Sequence, residues 1–189
     1  MLQGTLVDLR AVEPSDYQLL WRWLNDPAVT VFWGVPGNTV SLPEVARREE
    51  EQAGRSNSRK YIIQTKNATP IGQIDYYDLD WQARSAWTSI MIGDPEYWGG
   101  GFGTDAMRTL VGYLFHQLDL HRVSLTVHAS NTRAQRSYEK SGFVKEGTLR
   151  QWQFFDDHWV DGILMAVLRD DFDRAATSAR SEPSADQDS

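Results

Sequence analysis

The sequence contains no cysteine, which excludes disulfides, zinc–thiolate and iron–sulfur sites and a cysteine nucleophile, and leaves oxygen, nitrogen or a bound cosubstrate to do any chemistry. It also lacks a surplus of positive charge. With 19 Lys and Arg against 26 Asp and Glu the formal charge is -7, whereas a protein that holds duplex nucleic acid needs the opposite balance. Long apolar runs are missing as well: the most continuous, Ile163 to Leu168, is far too short to span a bilayer. The first residues, Met1-Leu2-Gln3-Gly4, show neither the basic region nor the apolar stretch of a secretory signal. A cytoplasmic protein with no membrane and no nucleic-acid partner is therefore expected. The four histidines, His116, His121, His128 and His158, have no spacing typical of a metal site or a Ser–His pair. They are read as structural or surface residues, and no metal is expected.

What is present suits one domain with a substantial core, since 189 residues bury enough apolar surface without a disulfide or metal staple. Residues 1–174 are expected to form that domain. Ala175 to Ser189 is small, polar and interrupted by Pro183, and reads as a disordered acidic tail. The tail carries Glu182, Asp186 and Asp188 against Arg180, so its net charge of -2 leaves -5 on residues 1–174. Cationic or neutral small partners fit that balance. Aromatic residues make up 12% of the chain, with Trp at 8 positions, enough to wall a cleft or a contact surface.

Thr5 to Arg10 alternates like a short strand, and Pro14-Ser15-Asp16 opens a helix with Tyr17, Leu20, Trp21 and Leu24 at helical spacing. Asn25-Asp26-Pro27 stops it. After the aromatic segment Val31 to Asn38, Ser41 and Glu44 have the form of a capping box for a helix to about Ala53. Lys60 to Lys66, Pro70 to Leu79 and Ser85 to Ile92 read as an antiparallel meander. The pattern then changes to strand and helix in alternation. A glycine loop precedes a helix from Thr104 to Gln117, a strand from Val123 follows, and Asn131 caps a helix that runs through Lys140 and ends at Ser141-Gly142. Val144 to Phe155 and His158 to Arg169 flank a turn at Asp156-Asp157. An α+β protein with a mixed sheet and a central βαβ unit results.

The loop Glu96-Tyr97-Trp98-Gly99-Gly100-Gly101-Phe102-Gly103-Thr104 lies between a strand and a helix, where bare N–H groups and the positive end of the helix dipole favour an anion. A Walker A loop is excluded because no Lys-Ser or Lys-Thr follows the glycines. Gly101 to Ala106 does match the loose dinucleotide pattern G-x-G-x-x-G/A, which keeps a nicotinamide dehydrogenase as an alternative. Its context is against it, because the loop follows a meander and the next strand ends at Val127-His128 without an acidic ribose ligand.

Pro95 to Thr104 together with Asn131-Thr132-Arg133-Ala134-Gln135-Arg136-Ser137-Tyr138-Glu139-Lys140-Ser141-Gly142-Phe143 resembles the GNAT superfamily of N-acetyltransferases. The resemblance implies a GNAT fold, with about six to seven strands, a V-shaped splay between strands 4 and 5, and about four flanking helices. It implies acetyl-CoA as cosubstrate and no metal. Gly101 and Gly103 match the pyrophosphate loop Q/R-x-x-G-x-G/A, with Trp98 in the Q/R position, so Trp98, Gly99, Gly100, Gly101, Phe102, Gly103 and Thr104 would hold the phosphates. Asn131 would hydrogen-bond the pantetheine arm, Lys140 would meet the phosphates, and Tyr138 would protonate the departing thiolate. The strand Ser85 to Ile92 would splay from Arg122 to His128, with backbone groups of Met91 and Ile92 lining the gap and the Ile92 N–H polarising the acetyl carbonyl.

Leu9-Arg10, Trp23 to Val29, Glu146 to Arg150 and Asp161 to Met165 look like the ribosomal-protein-alanine (Rim-type) branch. Spermidine and aminoglycoside acetyltransferases share much of that pattern, so the acceptor amine is expected to be a protein N-terminus, with a polyamine, aminoglycoside or amino-sugar as alternative, and a homodimer is a further expectation. An amine must lose a proton to attack. Asp75 is the preferred base, with Asp78, Asp94 and Glu96 as other candidates, while Trp33, Tyr76, Trp81, Trp152 and Phe155 are candidate walls of the acceptor site. An inactive acyl-CoA-binding sensor remains the reading from another class.

Overall fold

The computed structural model describes residues 1–33, 39–155 and 157–181. The chain opens with β1 (Leu2–Gln3) and β2 (Val7–Ala11), followed by α1 (Tyr17–Leu24), the single turn α2 (Pro27–Thr30) and α3 (Leu42–Ala53). The meander is β3 (Arg59–Thr65), β4 (Pro70–Asp80) and β5 (Ser85–Ile92). Then come α4 (Phe102–His116), β6 (Arg122–His128), α5 (Thr132–Lys140), β7 (Val144–Phe155), β8 (His158–Leu168) and α6 (Arg169–Ser181). All eight strands form one sheet in the order β1-β2-β3-β4-β5-β6-β8-β7.

Side-chain alternation divides the apolar residues of the sheet between two cores. Ile63, Ile71 and Ile74 face α4, whose Met107, Leu110, Val111 and Leu114 are all buried against them. Their neighbours Ile62 and Met91 face the other way, toward Leu20 and Trp23 of α1 and Val45 of α3. One contact fixes α1 on the sheet: a Cβ at Gly93 would lie 2.2 Å from the Trp23 ring, so only glycine lets the indole rest on the end of β5. The start of β2 is tied to α4 by Asp105, whose carboxylate accepts from the N–H groups of Thr5, Leu6 and Val7 at 3.1, 2.8 and 3.0 Å.

Every neighbouring pair in the sheet is antiparallel except β5 with β6. That parallel pairing covers only Ser85↔Arg122, Ala86↔Val123 and Trp87↔Ser124. β5 stays paired with β4 as far as Ile92, and β6 with β8 as far as His128. Each strand thus follows its outer neighbour and the two part company, opening a V in the middle of the sheet. The GNAT fold is borne out. Because the two-residue β1 adds a strand at the edge, the splay falls between β5 and β6 in this count, and α2 and α6 raise the number of helices above four.

The expected boundary at residue 174 falls inside a helix. α6 continues to Ser181 through residues read as tail, with Asp170 and Asp171 in its first turn where the helix dipole favours acids. Residues 182–189, the segment 34–38 and Asp156 of the expected turn lie outside the described residues. Among the described residues no helix is long and apolar enough to cross a membrane.

Candidate active site

A cleft of about 460 Å³ occupies the splay and is lined by residues from both faces of the sheet. At one end lies the glycine loop. Asp94 caps the preceding turn by accepting from the Glu96 N–H at 3.1 Å, so Asp94 has a structural task at this end and lies away from the acceptor side. Gly99 and Gly101 have φ of +81° and +84°, which L side chains rarely adopt, and space around Gly99 is open. Gly101 is the N-cap of α4 and contributes no side-chain acceptor, so the first-turn N–H groups remain available to an anion. Gly99, Gly101, Gly103 and Thr104 line the cleft; Gly100 and Phe102 do not. Phe102 turns instead against Tyr97, ring to ring at 5.3 Å, and a Cβ at Gly100 would come within 2.9 Å of its ring.

Trp98, in the position where the family usually has Gln or Arg, has a defined role. Its Nε1 donates to the Ile92 carbonyl at 2.9 Å, and the Arg133 guanidinium sits 4.0 Å over its ring. Arg133 and Arg136 line the cleft beside Lys140. Neither arginine was singled out from the sequence, although their spacing of three and then four along α5 puts all three cations on one helical face. With the bare N–H groups of the loop, this is a donor set suited to a pyrophosphate.

α5 places the phenol. The Asn131 side chain accepts from the Ala134 N–H at 3.1 Å to start the helix, and Asn131 lines the cleft. Gly142, with φ +94°, ends the helix by donating to Glu139, while Phe143 donates to the Tyr138 carbonyl, the paired bonds of a Schellman cap. Tyr138 is the one buried residue of α5. Its ring packs on Phe143 at 5.9 Å, and burial pushes its pKa well above that of an ordinary phenol, with Tyr77 adding to the rise. The hydroxyl is held protonated in the cleft wall.

Across the cleft, Gly93 donates to the Ile71 carbonyl at 2.9 Å, and ladder alternation then commits Met91 to Gln73 while Ile92 turns its N–H toward the gap. Asp75 does not line the cleft. Its carboxylate accepts a short hydrogen bond from the Ser89 hydroxyl, and Ser89 does. Behind Asp75, Lys60 is its cross-strand neighbour and pairs with the buried Glu49. Burial raises the Asp75 pKa against the opposing pull of Ser89 and Lys60.

Three of the five expected wall residues are not in the cleft lining: Phe155 packs behind His128, and the other two lie elsewhere. Tyr76 is only 6% exposed and belongs to the core under α4, while Trp81 is 61% exposed in the β4–β5 turn. Tyr77, one residue from Tyr76 and on the Asp75 face, takes the place in the cleft, as do Trp33 and Trp152. Asp78 and Glu96 are exposed and also lie outside it. His128, read as structural, lines the cleft with its ring 5.4 Å from Phe32 and 5.2 Å from Phe155. Its Nδ1 lies 2.8 Å from the Ser130 hydroxyl and its buried Nε2 has no partner among the described residues. Burial lowers its pKa, and His158 lowers it further.

Comparisons with known proteins agree with this architecture. A family model for the acetyltransferase (GNAT) domain matches residues 7–144. The spermidine N(1)-acetyltransferase of Vibrio cholerae is 27% identical over 161 residues, covering 85% of this chain and 92% of that protein. An aminoglycoside N(6′)-acetyltransferase type 1 of Klebsiella pneumoniae is 28% identical over 153 residues, 76% of each chain. The crystal structure of the Vibrio cholerae spermidine N-acetyltransferase with CoA and spermine superposes with a TM-score of 0.81 at 26% identity, over 88% of this chain and 98% of that one. The splayed sheet, the glycine loop and the matched domain lead to one conclusion: the chain belongs to the acetyltransferase (GNAT) family of N-acetyltransferases.

Proposed function

We propose that the chain transfers the acetyl group of acetyl-CoA directly to a primary amine of a small molecule. The observation that carries this reading is the gap between β5 and β6, which runs from the bare N-terminus of α4 past Tyr138 to an aromatic end. Relatives that acetylate spermidine and aminoglycosides support a small-molecule acceptor over the ribosomal-protein N-terminus that the Rim-type motifs suggested.

In this reading the loop N–H groups, Arg133, Arg136 and Lys140 hold the pyrophosphate end, and Asn131 meets the pantetheine arm. Acetyl-CoA supplies an activated acyl group with a thiolate leaving group. The Ile92 N–H donates to the carbonyl oxygen as negative charge builds on it during attack of the amine. Tyr138 gives its proton to the sulfur as the carbon–sulfur bond breaks. The first proton of the ammonium leaves through the Ser89 hydroxyl to Asp75, a carboxylate whose raised pKa suits it to receive one, and the second, carried on nitrogen in the tetrahedral intermediate, restores the Tyr138 phenol as the amide forms.

The test is a CoA-release screen with product mass spectrometry over small amines, including polyamines and aminoglycosides, and peptides with N-terminal alanine. Turnover confined to small amines is expected. Turnover confined to the peptides overturns the acceptor reading.

A further inference from the structure

A polycationic substrate needs several carboxylates, because each ammonium that leaves water without a partner is costly. No Asp or Glu lines the cleft among the described residues. Among the described residues the one carboxylate within a hydrogen bond of the wall is Asp75, behind Ser89, and it can answer for one ammonium. Among the described residues the charged side chains of the wall are Arg133, Arg136 and Lys140, all at the end given to the pyrophosphate, and none is a partner for a second ammonium.

The acceptor end offers rings instead. Phe32, Trp33, Tyr77, His128 and Trp152 line it, with Val29 and Val31 beside them. Trp152 is placed there by a bulge. Between Leu149↔Gly162 and Gln153↔Val160, three residues of β7 stand opposite one of β8, and Gln151 sits at φ +51° with its N–H donating to the Asp161 carboxylate at 2.8 Å. A Cβ at Gly162 would come within 2.8 Å of the Trp152 indole, so the glycine makes room for the ring on the sheet. Bulges beside active sites commonly re-aim a side chain in this way. Phe32 and Trp152 remain 38% and 43% exposed, a pair of apolar surfaces at the mouth that a ligand ring would cover.

We propose that the acceptor is a primary amine with one positive charge on an apolar, ring-bearing body, such as a phenylalkylamine, and that Trp152 is a specificity-determining wall of its site. This rests on the acetyltransferase reading above. The ammonium, once it has given up a proton toward Ser89, presents its lone pair to the thioester while its ring lies among Phe32, Trp33 and Trp152.

The experiment measures thiol release at saturating acetyl-CoA with phenethylamine, tryptamine, spermidine and kanamycin. Expected is a kcat/KM for the two ring-bearing amines at least about tenfold above that for spermidine. Trp152→Ala should raise KM for phenethylamine about tenfold and leave KM for acetyl-CoA unchanged, with Trp152→Phe restoring most of the loss. Faster turnover of spermidine or kanamycin overturns the inference and leaves the transferase reading intact, as does an unaltered phenethylamine KM in Trp152→Ala. Thiol release from none of the four, with acetyl-CoA binding intact by calorimetry, overturns both.

Discussion

Asp16 is buried beside Arg10, which reaches it with two hydrogen bonds of 2.7 Å, and it also accepts from the Glu13 N–H at 2.8 Å. Burial alone would raise its pKa, yet these partners together hold it below the ordinary carboxylate value. A folded pKa that is depressed adds stability at neutral pH and loses it as the pH falls below about 4, through the lowered value. Asp16→Asn should therefore cost about 3 kcal/mol at pH 7 and flatten the acid limb of stability, as read by urea unfolding across pH. Asp75 has the opposite shift and a different consequence. In the proposed mechanism Asp75 is the base and must be ionised, so kcat/KM should fall as the pH drops through a value above the usual 4 of a carboxylate. Asp75→Asn should remove that limb and lower turnover about a hundredfold. At this scale Tyr138 and Asn131 were legible because a motif fixes their place on one helix. The difference between Tyr76 and Tyr77 was not. Alternation puts Asp75 and Tyr77 on one face, but which face meets the cleft depends on where β5 and β6 part.

Elements carry the next set of consequences. Trp23 reaches the sheet only because Gly93 has no side chain, so Gly93→Ala should cost about 3 kcal/mol through overpacking, measured as a shift of the denaturation midpoint. Asp105 holds the start of β2 to the first turn of α4, whose Gly103 and Thr104 line the cleft and are proposed to meet the pyrophosphate. Asp105→Ala leaves three N–H groups without their acceptor and should cost about 2 kcal/mol, with weaker acetyl-CoA binding by calorimetry as the α4 N-terminus loosens. Helices α4 and α5 were readable from apolar spacing, Asn131 and Ser141-Gly142, and the meander from its turn residues. The bulge at residues 150–152 was hidden because its cause is a contact between β7 and Asp161 of the next strand. The helical continuation to Ser181 was hidden for another reason: Ala175 to Arg180 lacks apolar anchors, but the helix is already started at Arg169 and extending it needs one hydrogen bond per residue.

For the whole molecule, the division of labour follows from the sheet. Two outer sets of antiparallel strands are joined by three residue pairs of parallel contact, and the gap beyond them separates a cationic end near α4 and α5 from an aromatic end near α2 and β7. The acidity counted in the sequence, -7 over the chain, is absent from the described cleft wall, where the charged side chains are basic. Net charge therefore describes the outer surface and says little about the acceptor. The motifs at Pro95 to Thr104 and Asn131 to Phe143 implied the splay through the family resemblance, whereas the sign of charge inside it needed coordinates. The central claim is that acetyl passes directly to an amine in this gap with Tyr138 as acid. A single-turnover experiment tests it most directly: the complex of protein and acetyl-CoA is mixed with phenethylamine, and N-acetyl product is followed in the unaltered protein and in Tyr138→Phe. The account predicts equal acetyl-CoA affinity by calorimetry and product formation at least about a hundredfold slower in the variant; equal rates in the two proteins would contradict it.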